Sequence, residues 1–439
     1  MSSAWPTKSK PKFQSAARRP AGCGSSSICN APGAFLLSSA IKPLCTLPPG
    51  KLAQAIALSH WRTALHFGET AWLILALALL VRLRVGARIA RLAARVSSRP
   101  WVQGLVAVPL WLLILTALES PASLLGHHIG LHFGLSVEHW SAWWIDWLKG
   151  LLTTLLGGVV VLGVLYALMR KAKRSWWIWF WIFTVPTEVL LTFAAPLILD
   201  PLYNHFTPLA NTNPALVDQL ERVATRGGLR IPPSRIFVMD ASRRSTGANA
   251  YVTGLGASTR IVVWDTTLRI ESPNEILFTY GHEQGHYVLH HIPKGIAFSA
   301  VVILLFYWIA FRLLRWLVRV RGTAWAIDAA ESWSSLGLAI LLAVVLSFLA
   351  EPIANTFSRA IEHQADVYGQ EVIHSLVPDA QAATISSFCS DALVWLDDPS
   401  PNRFVEFWTY SHPSTEERAE FAAHYDPWLS DRKPRYFDK

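Results

Sequence analysis

Residues 281–311 read GHEQGHYVLHHIPKGIAFSAVVILLFYWIAF and set two chemistries end to end. The first half holds His282-Glu283-Gln284-Gly285-His286, an H-E-x-x-H. The second half, 296–311, is almost wholly apolar. Two histidines four apart on a helix project from one face and can share one metal ion. Glu283 lies beside them, within reach of a water on that ion, whose pKa a zinc lowers toward ~7. So a helix that can hold a catalytic metal, or is simply rich in histidine, runs straight into a stretch fit for a lipid bilayer.

The rest of the sequence extends the apolar half. Of 439 residues, 52% are apolar and 16% charged, whereas a soluble domain carries about 25% charge. Apolar segments occur at 64–81, 102–122, 150–169, 176–198, 296–311 and 333–350. Crossing the bilayer core takes about 20 apolar residues in a helix. One such segment can hide in a soluble core; six in a protein of this length cannot. Trp143, Trp144, Trp147, Trp176, Trp177 and Trp179 stand at segment edges, as interfacial aromatic belts do. The net charge of +9 suits anionic headgroups, and no nucleic-acid motif accompanies it.

This reading divides the sequence into five parts. Residues 1–63, rich in Ser, Pro, Ala, Lys and Arg and free of Asp and Glu, are expected to be a disordered tail. Four spans follow in 64–198 and two more in 296–353, with room for a poorly formed seventh in 34–60. The stretches 199–295 and 354–439 are polar enough to be soluble pieces. The first carries a helical pattern from Asn213 to Gly228, strand-like IFVMD and RIVVWD, and a helix capped near Ser272. The four cysteines, Cys23, Cys29, Cys45 and Cys389, form no C-x-x-C pair. That argues against a cysteine zinc site or a dense disulfide framework and leaves the redox compartment open.

A catalytic zinc needs a third protein ligand and an open position. The long metzincin motif fails, with Leu289 in the place of its Gly and Ile292 in the place of its His. A later glutamate is the other solution. In SRAIEHQAD, residues 358–366, Glu362 and Asp366 are four apart on one helical face. Glu362 can complete a His-His-Glu set around one Zn2+ per protein, and Asp366 can orient a ligand from behind. The bland alternative is an exposed helix with ordinary charges.

Taken together, these stretches resemble the type 1 CAAX prenyl proteases, integral-membrane zinc metallopeptidases related to the HtpX-like proteases. His282-Glu283-x-x-His286 with His291 resembles the family's zinc helix, and Ser358-Arg359-x-x-Glu362-x-x-Ala365-Asp366 its third-ligand helix. Arg244-Ser245-x-x-x-Asn249-Ala250-Tyr251-x-x-Gly254 resembles its substrate-side strand, with Gly247 where a His is common. Arg260 to Thr266, Asp200 to Asn204, and His412-Pro413 with Arg418 resemble further family stretches. The resemblance implies an α-helical integral membrane protein with six clear spans, seven being usual. It also implies a mainly α, small-sheet, gluzincin-type peptidase domain formed by two discontinuous segments. By the same resemblance His282, His286 and Glu362 hold zinc, Glu283 is the general base, and His412 stabilises the oxyanion. Asp366 and Arg418 support the ligands, while Asn249 and Tyr251 lie on the substrate side. Prenylated CAAX C-termini, or misfolded and membrane-associated proteins, are the implied substrates. A non-catalytic membrane scaffold with a degenerate or structural zinc site is the alternative class.

The side of the membrane stays open at this level. Loops 82–100, 170–175 and 312–332 carry six, four and four Lys/Arg, against Lys149 alone in 123–149. By the positive-inside rule the Arg-rich side is cytoplasmic and both soluble pieces lie outside. The family resemblance implies a site open to the cytosol. A bacterial cell membrane and a eukaryotic endomembrane both fit the sequence.

Overall fold

A computed structural model of the protein describes residues 43–198, 200–254, 259–429 and 433–437. Among them are fourteen α-helices and four strands. The helices are α1 (Pro49–Arg82), α2 (Val85–Val96), α3 (Pro100–His132), α4 (Trp140–Lys171), α5 (Trp176–Ile198), α6 (Asp200–Tyr203), α7 (Pro214–Arg226), α8 (Thr267–Ile270), α9 (Pro273–Val288), α10 (His291–Trp325), α11 (Leu336–Ile373), α12 (Ala380–Trp395), α13 (Arg403–Thr409) and α14 (Thr415–His424). The strands are β1 (Phe206–Pro208), β2 (Ile236–Met239), β3 (Ala250–Thr253) and β4 (Arg260–Trp264).

Six of these helices, α1, α3, α4, α5, α10 and α11, are long and apolar enough to cross a membrane. Their apolar stretches are mostly exposed, with none of the most apolar window of α10 buried. Leu75, Leu79, Leu156, Leu190 and Leu305 face outward. Such a belt suits lipid and is a liability in water. At 12 residues, α2 is about 18 Å long, too short for a core of about 30 Å. It packs on α3 and on residues 333–335.

The expected tail is corrected by the structure. Residues 1–42, where the Pro- and Ser-rich tracts fall, lie outside the described residues. From Pro49 onward the backbone is α1, which begins with proline at its first turn. Ala55 and Leu58 are buried against Ile129 and Leu396, so this segment belongs to the fold. Their helical spacing was hidden in a stretch without acids. No seventh span occurs among the described residues; 49–60 are the first turns of α1. The soluble pieces also do not end where the apolar stretches begin. One unbroken α11 runs from the membrane region to Glu362 and Asp366.

The sheet has the order β1-β2-β4-β3, with β2 and β4 parallel and both outer pairs antiparallel. Strand β3 is therefore an edge. Asn213 caps α7, and Ser272 with Glu275 forms a reciprocal capping box on α9. Ile236, Ile261 and Val263 pack with Phe278, Tyr280, Tyr368 and Phe388 into one core. Arg244 docks this unit on the membrane helices: it pairs with Asp146 at 2.8 Å and bonds to Tyr203 and Asn204.

Two glycines let α9 and α11 touch. A Cβ on Gly369 would lie 3.0 Å from the His282 backbone nitrogen and 3.0 Å from the Phe278 ring. One on Gly285 would lie 3.1 Å from Tyr368. Gly369→Ala is expected to destabilise by about 1–3 kcal/mol through overpacking, and to lower the metal bound per protein. Thermal unfolding and elemental analysis measure both; wild-type values in each would show that the contact has slack.

Candidate metal centre

Helix α9 presents His282 and His286 to α11, which presents Glu362. Their Nε2, Nε2 and Oε2 atoms lie 3.1, 3.2 and 3.5 Å apart. Three corners of a tetrahedron of radius about 2.05 Å lie roughly 3.3 Å apart. The Glu362 Oε2 is buried with no hydrogen-bond donor. Donor types, spacing and the orphaned oxygen all fit one metal ion.

The outer atoms are held in place. His282 Nδ1 is 2.9 Å from Asp366 Oδ1, so its N–H faces the carboxylate and Nε2 keeps its lone pair for a metal. Asp366 is clasped in turn by Arg418, at 2.9 and 2.6 Å. Burial pushes His282 down, but the Asp366 and Glu362 carboxylates beside it outweigh this and hold it at about 10. Metal binding there displaces a proton. His286 Nδ1 meets His291 Nδ1 at 3.1 Å, while His290 is exposed.

Glu283 lines a cavity of about 590 Å³ together with His282, His412, Asn249 and Arg418. Burial raises its carboxyl above the usual range, which suits a proton acceptor that must later give the proton up. His412 is half exposed, with Nε2 3.3 Å from Glu362 Oε2. Its Nδ1 bonds to the Ser411 hydroxyl at 3.0 Å, and burial lowers its pKa, so it is neutral near pH 7. The network that leaves Ser411 donating puts the ring proton on Nε2.

Of the nine residues singled out in the sequence, the structure gathers eight around the cavity and the metal atoms. Tyr251 is the exception. Its side chain packs with Met239 and Val262 on the outer side of the sheet, and its hydroxyl lies 4.0 Å from the Met239 sulfur. The structure also adds residues that no motif marked. Arg62 of α1 reaches Asp397 at 3.6 Å and the Trp395 carbonyl at 3.3 Å, on the cavity wall. Burial raises Glu271 to about 8 and Asp391 to about 7, and both line the same cavity. Gly247 is explained by Trp395, whose ring would lie 2.2 Å from a Cβ there. The indole takes the volume that a side chain at 247 would need.

Known proteins resemble this one in sequence and in fold. Residues 210–426 match the family described as Peptidase family M48, and residues 47–205 match CAAX prenyl protease N-terminal, five membrane helices. The uncharacterized metalloprotease YhfN of Bacillus subtilis is 33% identical over 310 residues, covering 71% of this protein and 71% of its own length. The chain belongs to peptidase family M48. With six apolar spans, it is an integral-membrane metallopeptidase. CAAX prenyl protease 1 of Saccharomyces cerevisiae is 27% identical over 326 residues, 69% of this M48 peptidase and 68% of the yeast protein. The rice CAAX prenyl protease 1 homolog is 27% identical over 282 residues, and the match spans 62% of each. The crystal structure of S. mikatae Ste24p superimposes with a TM-score of 0.68 at 21% identity, over 87% of this protein and 100% of that one, and shares the fold. Within 47–205 the M48 peptidase has four spans, with the short α2 between the first two.

Asp366→Asn is expected to weaken metal binding about 10–100-fold, as loss of a ligand's supporting carboxylate does. Competition with a chromophoric chelator measures it. Unaltered affinity would mean that the Asp366–His282 bond does not set ligand orientation.

Proposed function

We propose that this M48 peptidase cuts extended segments of membrane-associated or misfolded polypeptides by zinc-assisted hydrolysis. Zn2+ held by His282, His286 and Glu362 would supply Lewis acidity and lower the pKa of the attacking water. Glu283 takes the water's proton and later passes it to the leaving amine. His412, neutral with a proton on Nε2, donates to the oxyanion that develops on the scissile carbonyl. Asp366 and Arg418 keep His282 oriented, and His291 does the same for His286. Asn249 stands at the start of the edge strand β3, where a substrate backbone can add as a further strand. Main-chain recognition of that kind tolerates many sequences.

The observation that carries this reading is the trio of ligand atoms 3.1 to 3.5 Å apart, one of whose residues, His282, lines a cavity beside Glu283. A scaffold needs no such base, and a closed structural zinc site would more often use cysteines. The names of the yeast and rice relatives favour a second reading, in which the segment is a prenylated CAAX C-terminus.

Detergent-purified protein given a farnesylated CAAX peptide and its unfarnesylated twin is expected to cut both, at sites read by mass spectrometry. Glu283→Gln is expected to slow cutting by about 10²- to 10⁴-fold while leaving the metal bound. Strong preference for the farnesylated twin would favour the CAAX reading. Cutting that survives Glu283→Gln or a chelator would remove the zinc mechanism.

A further inference from the structure

The six spans put one end of every helix on each of two faces. On the first face the ends of α1, α4 and α10 and the starts of α3, α5 and α11 are tied to one another. Arg84 bonds to the Ala324 carbonyl at 3.0 Å, Arg170 to the Glu331 carbonyl at 3.4 Å, and Trp333 to the Pro100 carbonyl at 2.9 Å. Lys173 pairs with Glu331, and Tyr166 bonds to Ser335 at 2.8 Å. This cap holds Arg82, Arg84, Arg88, Arg91, Arg95 and Arg99, four basic residues at 170–174 and four at 312–321, fourteen in all.

The second face carries the peptidase unit. Ser136, in the loop from α3 to α4, bridges to Ser245, and Val137 bonds to the Arg244 carbonyl at 3.0 Å. Near the span ends on this side the described basic residues are Lys51, Arg62, Lys149, Lys294 and Arg359. The helix ends therefore alternate as the loop charges require, and no missed or false span intervenes among the described residues. Fourteen basic residues against five is a strong bias toward a cytoplasmic cap.

A second observation is independent of charge. Cys45, just ahead of α1, and Cys389, on α12, form a disulfide across a sequence separation of 344, with Cα atoms 4.9 Å apart. Cys45 is buried in the core of the peptidase unit and Cys389 packs against that core. The neighbouring Leu44 and Cys45 amides donate to the Glu416 carboxylate at 2.6 and 3.1 Å, so the segment is fixed there by more than the sulfur bridge. Structural disulfides persist in secreted, periplasmic and lumenal space, and cytosolic thiols are kept reduced.

We propose that the metal centre faces the non-cytoplasmic, oxidising side of the membrane, and that its substrates are polypeptides that have crossed or are crossing the bilayer. The substrate class rests on the peptidase reading above; the orientation does not. A lipidated polypeptide terminus retained in the cytosol has no access to this face. Exported segments that stay unfolded or stall at the outer surface do.

The test uses the full-length protein in spheroplasts of a bacterial host, with Cys23→Ser and Cys29→Ser to remove background thiols. Single cysteines are placed at exposed positions: Asp218→Cys on α7, Glu420→Cys on α14, and Ala94→Cys on α2. A membrane-impermeant maleimide is expected to label the first two in intact spheroplasts and Ala94→Cys only after lysis. In freshly isolated membranes Cys45 and Cys389 are expected to resist alkylation until a reductant is added, as read by peptide mass spectrometry. Inverted labelling, or free thiols at Cys45 and Cys389, would overturn the orientation. Neither readout depends on catalysis, so an inactive but correctly labelled protein would fault the peptidase reading alone.

Discussion

The contact between α9 and α11 is the constraint on which everything else depends. Neither helix holds a metal alone: α9 brings two imidazoles and α11 a carboxylate. Their ligand atoms meet near 3.3 Å only because Gly369 and Gly285 leave no side chain between the backbones. A carboxylate and two histidines in a buried wall are costly without a partner, and His282 brings a proton that metal must displace. The Asp366–Arg418 pair offsets part of this by fixing the charge behind His282. Packing thus comes first, and the chemistry is laid over it.

Membrane and site share one element. Helix α11 crosses the apolar layer and continues without a break to Glu362. At 38 residues it is about 57 Å long, nearly twice the hydrocarbon core. Its outer half therefore stands clear of lipid and reaches the peptidase unit as a rigid strut. Helix α1 does the same on the other wall, bringing Arg62 and His66 to the cavity. A cleft framed by protruding spans opens at the membrane surface, where a polypeptide emerging from the bilayer would first be met.

Much of this was legible in the sequence because it rests on short spacings. The pairs His282/His286 and Glu362/Asp366 are each one helical turn, and apolar runs of bilayer length announce themselves. What was hidden rests on contacts distant in sequence. Residues 49–63 looked like tail because they lack acids, yet Ala55 and Leu58 are held by Leu396, more than three hundred residues away. The Cys45–Cys389 bridge has no local signature for the same reason. Trp395 and Gly247 form a complementary pair that spacing cannot reveal. Tyr251 was misplaced by adjacency: Asn249 lies before β3 and lines the cavity, whereas Tyr251 lies within the strand with its ring against Met239 and Val262.

The two discriminators of orientation differ in kind, and that gives their agreement weight. The charge bias acts during insertion and records which loops stayed behind. The disulfide acts afterwards and records the solvent in which the finished domain lives. An inherited pattern of arginines need not carry any cysteine with it, and a cysteine pair could close in a buried core without any bias in distant loops. That α1 is anchored at its outer end by Cys45 and the Glu416 carboxylate, and at its inner end by the arginine cap, ties both records to one helix. The first half of the same helix supplies a wall of the cavity, so the face opposite the cap is also the face of the metal centre.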